Sequence, residues 1–152
     1  MPAENNAQIL IRLAKSEDAQ RIAVLCYLLG YSTSEEQVQK RLKLLSNNQE
    51  HIVYVAYLPD EPVIGWVHVY VIKSLVVGSA ALIGGLIVNP EYRSRGAGRL
   101  LMQNAEQWAK EQGCETLQLR SNVVRQEAHH FYEQIGYTAF KTQLAFYKDL
   151  SN

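Results

Sequence analysis

The chain has no excess charge of either sign. Fifteen basic residues balance fifteen acidic ones across 152 positions, for a formal net charge of zero. A generic nucleic-acid or anionic-membrane binder carries a broad basic excess, so neither partner is expected and any anion binding must be local. Cysteine is scarce. Cys26 and Cys114 stand far apart, with no CxxC and no metal-ligand spacing, so no metal site is expected. They read as two buried thiols in a reducing compartment, with a disulfide as the lesser alternative. Long apolar runs are missing too. The longest, around Ala80–Val88, contains two glycines and is far short of a bilayer span. "MPAENNAQIL" lacks a basic segment followed by an apolar core, so no leader is read there and a cytoplasmic location is expected.

The sequence shows no internal repeat, no low-complexity tract and no linker rich in proline, glycine and serine. A composition of 47% apolar and 20% charged residues is ordinary for a soluble globular protein. One domain over residues 1–152 is expected, long enough to bury a core without staples.

Periodicity orders the elements. "ILIRLA" (9–14) reads as a strand. A helix follows with Ser16 as N-cap, Ile22, Leu25, Cys26 and Leu29 on one stripe, and Gly30 as its stop. Ser34 caps a second helix with Val38, Leu42 and Leu45 on one face. "HIVYVAYL" (51–58) and "VIGWVHVYVI" (63–72) read as strands joined by the turn "PDEP". In the second, Trp66, His68 and Tyr70 share one face and Val67, Val69 and Val71 the other. "ALIGGLIVN" (81–89) reads as a buried strand in which Gly84–Gly85 marks a bulge or a close backbone approach. A helix is expected from about Ala97 to Gln112, a strand over 115–121 and a helix over 125–136. The helix carries Ala128, Phe131, Tyr132 and Ile135 on its apolar stripe. "YTAFKTQLAFYKDL" reads as two closing strands. The early strands should pair antiparallel, and 81–121 should form a parallel unit with a right-handed crossover. The expected class is a mixed α/β (α+β) fold.

The basic residues cluster in one place. "NPEYRSRGAGRL" (89–100) holds three arginines and two glycines between an apolar strand and an amphipathic helix. At the first turn of a helix, several N–H groups have no intrahelical acceptor and the macrodipole adds partial positive charge. Glycine at 96 and 98 removes the Cβ atoms that would keep a phosphate from those donors. Arg93, Arg95 and Arg99 add full charges of suitable geometry. The stretch lacks the Lys-Ser or Lys-Thr of a Walker A loop, and Leu101 stands where a dinucleotide fingerprint needs its third glycine. A lone GxG also fits a turn flanked by solvated arginines. Its placement between strand and helix favours a pyrophosphate seat.

Arg93-Ser94-Arg95-Gly96-Ala97-Gly98 after "LIGGLIVNPEY" resembles the central motif of the GNAT acetyltransferase superfamily. "SNVVRQEAHHFYEQIGY" (121–137) resembles its second block, an Asn followed by a helix with Ala-x-x-Phe-Tyr and a terminal Gly-Tyr. The likeness covers residues 63–148 closely and the first 60 in element order. It implies a central, mostly antiparallel sheet with a splayed parallel strand pair and helices on both faces. It also implies acetyl transfer from acetyl-CoA to a primary amine, by direct attack in a ternary complex. Carried over by position, the backbone of Leu86, Ile87 and Val88 would hold the pantetheine arm. Amides from Arg95 through Gly96, Ala97 and Gly98 to Arg99, beside Arg93 and Ser94, would hold the pyrophosphate. Asn122 and Ala128 are further cofactor positions. Tyr132 matches the tyrosine that protonates the departing thiolate; its place on an apolar stripe also suits a core aromatic, and the presence of the first block favours the catalytic reading. Homodimerisation is common in the family.

One position departs from the pattern. Many members carry a glutamate on the strand before the phosphate loop as a general base acting through water; here Leu82 stands there. His68 is the leading substitute, because an imidazole titrates near neutrality and its strand should neighbour 81–88. A histidine satisfied within the Trp-His-Tyr face is the other reading. The missing glutamate leaves open a non-catalytic acyl-CoA-binding or sensing module on the same fold. His129 and His130 diverge around their helix and read as surface or acyl-pocket residues. Tyr27, Tyr31 and 28–36 fall where the family builds its acceptor wall.

Overall fold

The computed structural model describes residues 8–151, so most of the stretch read for a leader lies outside the described residues. The chain divides into two compact units, Met1–Leu119 and Arg120–Asn152.

The first unit is built on a five-stranded sheet in sequence order: β1 (Leu10–Leu13), β2 (His51–Tyr57), β3 (Gly65–Ser74), β4 (Gly78–Val88) and β5 (Leu117–Gln118). Strands β1 to β4 pair antiparallel, and β4 pairs β5 in parallel. Between β1 and β2 lie the helices α1 (Ala19–Leu28) and α2 (Glu35–Ser46). The long helix α3 (Ala97–Glu111) links β4 to β5.

Each face of the sheet has its own cover. Ile22 and Leu25 of α1 and Val38 of α2 bury against Val55, Val63 and Ile87, with Trp66 and Tyr57 packed around them. On the opposite face Val67, Val69 and Val71 of β3 are buried, and α3 packs there through Leu101, Met102, Ala105 and Trp108. Completely burying a side chain such as Leu101 contributes about 1.5–3 kcal/mol. Leu101, Ala105 and Trp108 recur at helical spacing, so one stripe of α3 is turned to the sheet.

Helix starts divide into one confirmed and one revised. Ser34 caps α2 with a full capping box: its hydroxyl accepts from Gln37 N–H, and the Gln37 side chain accepts from Ser34 N–H. Ser16 does not cap α1. It begins a short 3₁₀ turn, Ser16–Asp18, and α1 starts only at Ala19. The turn is organised by Asp18, which is buried and accepts from Arg12 at 2.8 Å through both oxygens and from Lys15 N–H at 2.7 Å. Sequence periodicity does not register a carboxylate tying a strand to a turn.

The second unit contains α4 (Gln126–Gln134), inside the expected range. The two closing strands are not formed: among the described residues, none from Tyr137 to Ser151 lies in a strand. Residues 138–151 are exposed throughout. Alternation creates a face suited to a sheet, but a strand also needs an edge to pair with. The strand expected over 115–121 is likewise reduced to Leu117–Gln118.

Burial alone would raise the Asp18 carboxyl, but the bonds from Arg12 and Lys15 outweigh it and hold the group below the usual carboxylate range. A carboxyl depressed in the folded state stabilises above its unfolded pKa of about 3.9, and the gain is lost as pH falls through the folded value. Asp18→Asn should therefore lose about 2 kcal/mol at pH 7 by urea denaturation, the gap from wild type closing below pH ~4.

Candidate active site

Strand β4 carries one residue more than its partner. The pairing with β3 runs His68↔Gly85 and then Val69↔Ile83, leaving Gly84 as the extra residue of a bulge. The glycine pair thus marks both the bulge and a close approach. A Cβ on Gly84 would lie 2.6 Å from His68 Nδ1, and one on Gly85 would lie 2.6 Å from the Trp66 ring.

The bulge changes which edge the peptide groups of β4 face. Before it, Ala81 N–H donates to Thr116 O at 2.9 Å, toward β5. After it, Asn89 N–H donates to Ile64 O at 2.7 Å, on the β3 side. Counting back from Asn89 by the strand's period of two, Ile87 turns its N–H and C=O toward β3, while Leu86 and Val88 turn theirs to the far edge. Parallel pairing with β5 stops at Leu82↔Gln118, so among the described residues no strand pairs with Leu86 or Val88 on that edge. This is the splay expected from the resemblance. Ile87 is the exception among the three residues expected to offer their backbone, because its polar groups are directed to β3 and its side chain is in the core.

Between β4 and α3 the chain makes a 3₁₀ turn, Pro90–Tyr92, rather than passing directly into the helix. Ser94 and Gly96 then take positive φ, 66° and 90°. This left-handed turn ends with Gly96 as N-cap of α3. The first helical bond is Leu100 N–H to Gly96 O at 3.0 Å. Among the described residues, the amides of Arg95, Gly96, Ala97, Gly98 and Arg99 have no backbone carbonyl as partner. Ala97 is buried and Gly98 half-buried, whereas Arg93, Ser94, Arg95 and Arg99 are exposed. No carboxylate of the described residues pairs with the three arginines. Arg95 lies over the Tyr92 ring, 5.3 Å from its centroid.

His68 sits on the β3 face turned to α1 and α2, half-buried with Trp66 and Tyr70. Its Nε2 lies 3.0 Å from His51 Nδ1. The rings of His51, His68 and Tyr70 form one cluster, with centroid separations of 5.0–5.3 Å. Burial, with His51 alongside, lowers the His68 pKa to about 4. The expectation of titration near neutrality is corrected: a ring with little water around it resists becoming imidazolium. Leu82 is buried on the same sheet face, opposite Tyr70. His51 was not anticipated. Its signal was the turn "PDEP", because a hairpin folded symmetrically about 59–62 sets His51 opposite Tyr70, as observed.

In the second unit Asn122 Oδ1 accepts from Val124 N–H at 3.1 Å, and its carbonyl oxygen lies 2.8 Å from His129 Nε2. The histidine is thus engaged with its own loop. Ala128 and Tyr132 are half-buried on α4. The Tyr132 ring meets Phe131 and Tyr137 edge-on, and burial raises its phenol pKa, with Arg125 opposing weakly. Tyr27 and Tyr31 are exposed. Cys26 and Cys114 are free and half-buried rather than fully buried. Among the described residues no group of three or more His, Cys, Asp or Glu is placed to hold a metal ion, and no helix is long and apolar enough to cross a membrane.

A strand pair that parts after Leu82 and a glycine-capped helix with free amides are features expected from the resemblance, and comparison with known proteins identifies the family. Residues 10–137 match the model of the acetyltransferase (GNAT) family, and the chain belongs to that family. It is 30% identical over 132 residues to YhfO of Bacillus subtilis strain 168, an uncharacterized N-acetyltransferase, covering 84% of this chain and 88% of that one. A transcriptional regulator from Bacillus halodurans C-125 shares the fold with a TM-score of 0.83 at 24% identity, over 93% of this chain and 100% of that one. So does AAC(6')-Iy, solved with the bisubstrate analog CoA-S-monomethyl-acetylneamine, with a TM-score of 0.82 at 15% identity over 93% and 99% of the two chains.

A methyl group on Gly84 must displace the His68 ring, and Tyr70 Cε1 at 3.2 Å limits where it can go. Gly84→Ala should cost about 1–3 kcal/mol in chemical denaturation. The same substitution should move the side-chain ¹⁵N resonances of His68.

Proposed function

We propose that the chain transfers the acetyl group of acetyl-CoA to a primary amine by direct attack in a ternary complex. The observation that carries this reading is the run of unpartnered amides from Arg95 to Arg99, held open by the left-handed turn at Ser94 and Gly96. Backbone donors and a helix N-terminus suit a diphosphate, and Arg93, Arg95 and Arg99 stand next to them in the chain with no ion-pair partner among the described residues, Glu61 being engaged by Tyr92. Leu86 and Val88 offer free strand edges to the amides of pantetheine, in the manner of an added strand. Asn122, whose side-chain N–H₂ is unengaged among the described residues, and Ala128 are assigned as further cofactor positions by their place in the family's second block.

The chemistry needs three things of the protein. A neutral amine attacks the thioester carbonyl, and the developing oxyanion requires a fixed donor; the Val88 N–H is our assignment. The C–S bond then breaks, the thiolate takes a proton from the Tyr132 hydroxyl, and the proton shed by the acylated nitrogen restores the phenol. A phenol raised by burial stays protonated at neutral pH and is therefore able to donate. The amine must also lose a proton, with His68 in place of the carboxylate that Leu82 cannot supply. The acceptor is a small molecule or peptide bearing an amine; the acetylneamine portion of the AAC(6')-Iy ligand is one such skeleton.

A second reading, a non-catalytic acyl-CoA-binding or sensing module, is favoured by the apolar Leu82 and by the weak basicity of His68. Thiol release over an amine panel separates the two, because coenzyme binding without turnover on any amine selects the module.

Two outcomes are expected. Replacing Arg93, Arg95 and Arg99 together by alanine should weaken acetyl-CoA binding by on the order of 10- to 100-fold in calorimetry, and an unchanged Kd removes the phosphate seat. Tyr132→Phe should lower kcat by roughly 10²-fold with little change in acetyl-CoA affinity, whereas full turnover at saturation removes Tyr132 from the mechanism.

A further inference from the structure

We propose that His51 and His68 form a two-imidazole relay carrying a proton from the acceptor ammonium, at the exposed backbone of Gly84, to the cavity at the end of β1. The inference rests on the amine-acetylation reading above and supplies its missing base.

The two ends of the pair face different surroundings. His68 Nδ1 is directed at Gly84, where an added Cβ would come within 2.6 Å, and Gly84 is an exposed residue in the middle of β4. His68 Nε2 is directed away, 3.0 Å from His51 Nδ1. His51 in turn lines a cavity of about 430 Å³ together with Ser46, Asn48, Gln49, Leu45 and Trp108. Its walls are mostly apolar, and Ser46, Asn48, Gln49 and Gln112 are the polar partners it offers to water. Two ring nitrogens at hydrogen-bond distance hold one proton between them, because a neutral imidazole has one donor and one acceptor.

A single histidine here would be a poor base. Burial holds His68 near 4, so storing a whole proton on it is unfavourable at neutral pH. The relay avoids that state. At the start each ring carries its proton on Nε2. The ammonium N–H bond breaks and its proton joins His68 Nδ1, while the proton on His68 Nε2 passes to His51 Nδ1. The proton on His51 Nε2 leaves to water in the cavity. Both rings are neutral before and after, the amine keeps its electron pair, and one hydronium forms. After product leaves, the same steps run in reverse against water at Gly84 and restore the tautomers.

The neighbours of the pair add little competing charge. Tyr70 stacks on His51 and lies tilted against His68, Val53 of β2 and the bulge of β4 are apolar or glycine, and Glu50 beside His51 is paired with Lys73 at 2.7 Å. His51 acts through His68 and is thus a positioning residue.

The test uses ¹⁵N-histidine NMR on the whole chain, and kinetics of His51→Gln and His68→Gln with acetyl-CoA and a panel of lysine, spermidine, glucosamine and neamine. In the wild type, a neutral His68 ring at pH 7 and a coupling across the hydrogen bond between His51 Nδ1 and His68 Nε2 are expected. His51→Gln should lower kcat about tenfold or more near neutrality, with KM for acetyl-CoA unchanged and the loss shrinking as pH approaches the amine's own pKa. Solvent-isotope dependence should be curved in the wild type, reporting several moving protons, and linear in the variant. Absence of the coupling overturns the relay, as does a His51→Gln enzyme with wild-type pH–rate and isotope profiles. If the wild type releases no thiol with any amine, the acetylation reading falls and takes the relay with it. Normal wild-type turnover with an unaffected His51→Gln defeats the relay alone.

Discussion

One additional residue in β4 determines which backbone groups this sheet leaves unpaired. With Gly84 inserted, the alternation of peptide groups is reset, so that Leu86 and Val88 rather than Ile87 present polar groups to the edge away from β3. Pairing with β5 ends at Leu82, two residues before the bulge. The combination leaves unpaired backbone next to a surface without side chains. Unpaired strand groups are normally a hazard, covered or avoided by folded proteins. Here they occur inside a sheet whose two faces are already packed by α1, α2 and α3, which is the setting in which a ligand rather than a second sheet can satisfy them.

The local concentration of positive charge follows the same economy of placement. A chain of zero net charge has no long-range pull on anions, so its attraction must come from short-range donors with fixed directions. The left-handed turn through Ser94 and Gly96 supplies them by setting the first turn of α3 free of backbone acceptors. A side chain at position 96 would meet no atom within 4 Å, so sterics do not explain the glycine. Its φ of 90° does. The α3 stripe of Leu101, Met102, Ala105 and Trp108 then fixes the direction in which those amides point, linking core packing to the proposed seat.

What the sequence made legible were features with a local cause. Apolar periodicity located α3 to within a residue, Ser34 with Gln37 marked the start of α2, and the Gly84–Gly85 pair marked the bulge. Features that depend on a distant partner were not legible. Asp18 is an ordinary acidic residue in the first turn until Arg12 is seen to reach it, and that pair moves the helix start away from Ser16. The alternating residues after Tyr137 satisfy the pattern of a strand yet stay outside one, because alternation describes a face and not an edge. His68 was recognised as a residue type suited to proton transfer, but its weak basicity arises from burial and from His51, 17 positions earlier in the chain.

The leucine at position 82 fits this arrangement. Leu82 is 5% exposed and lies opposite Tyr70 on β3. A carboxylate in its place would be desolvated by the same neighbours that pack the leucine. Its pKa would rise, and the sheet would lose apolar packing around the aromatic cluster. An imidazole pair is less costly in such surroundings, since it passes a proton while remaining uncharged and buries no net charge at any stage. The stacked His51, His68 and Tyr70 rings also contribute apolar contact that a carboxylate cannot. An apolar residue at 82 and a histidine pair on β2 and β3 are thus compatible parts of one arrangement, in which the proposed proton path runs through the neighbouring strands rather than through a side chain of β4.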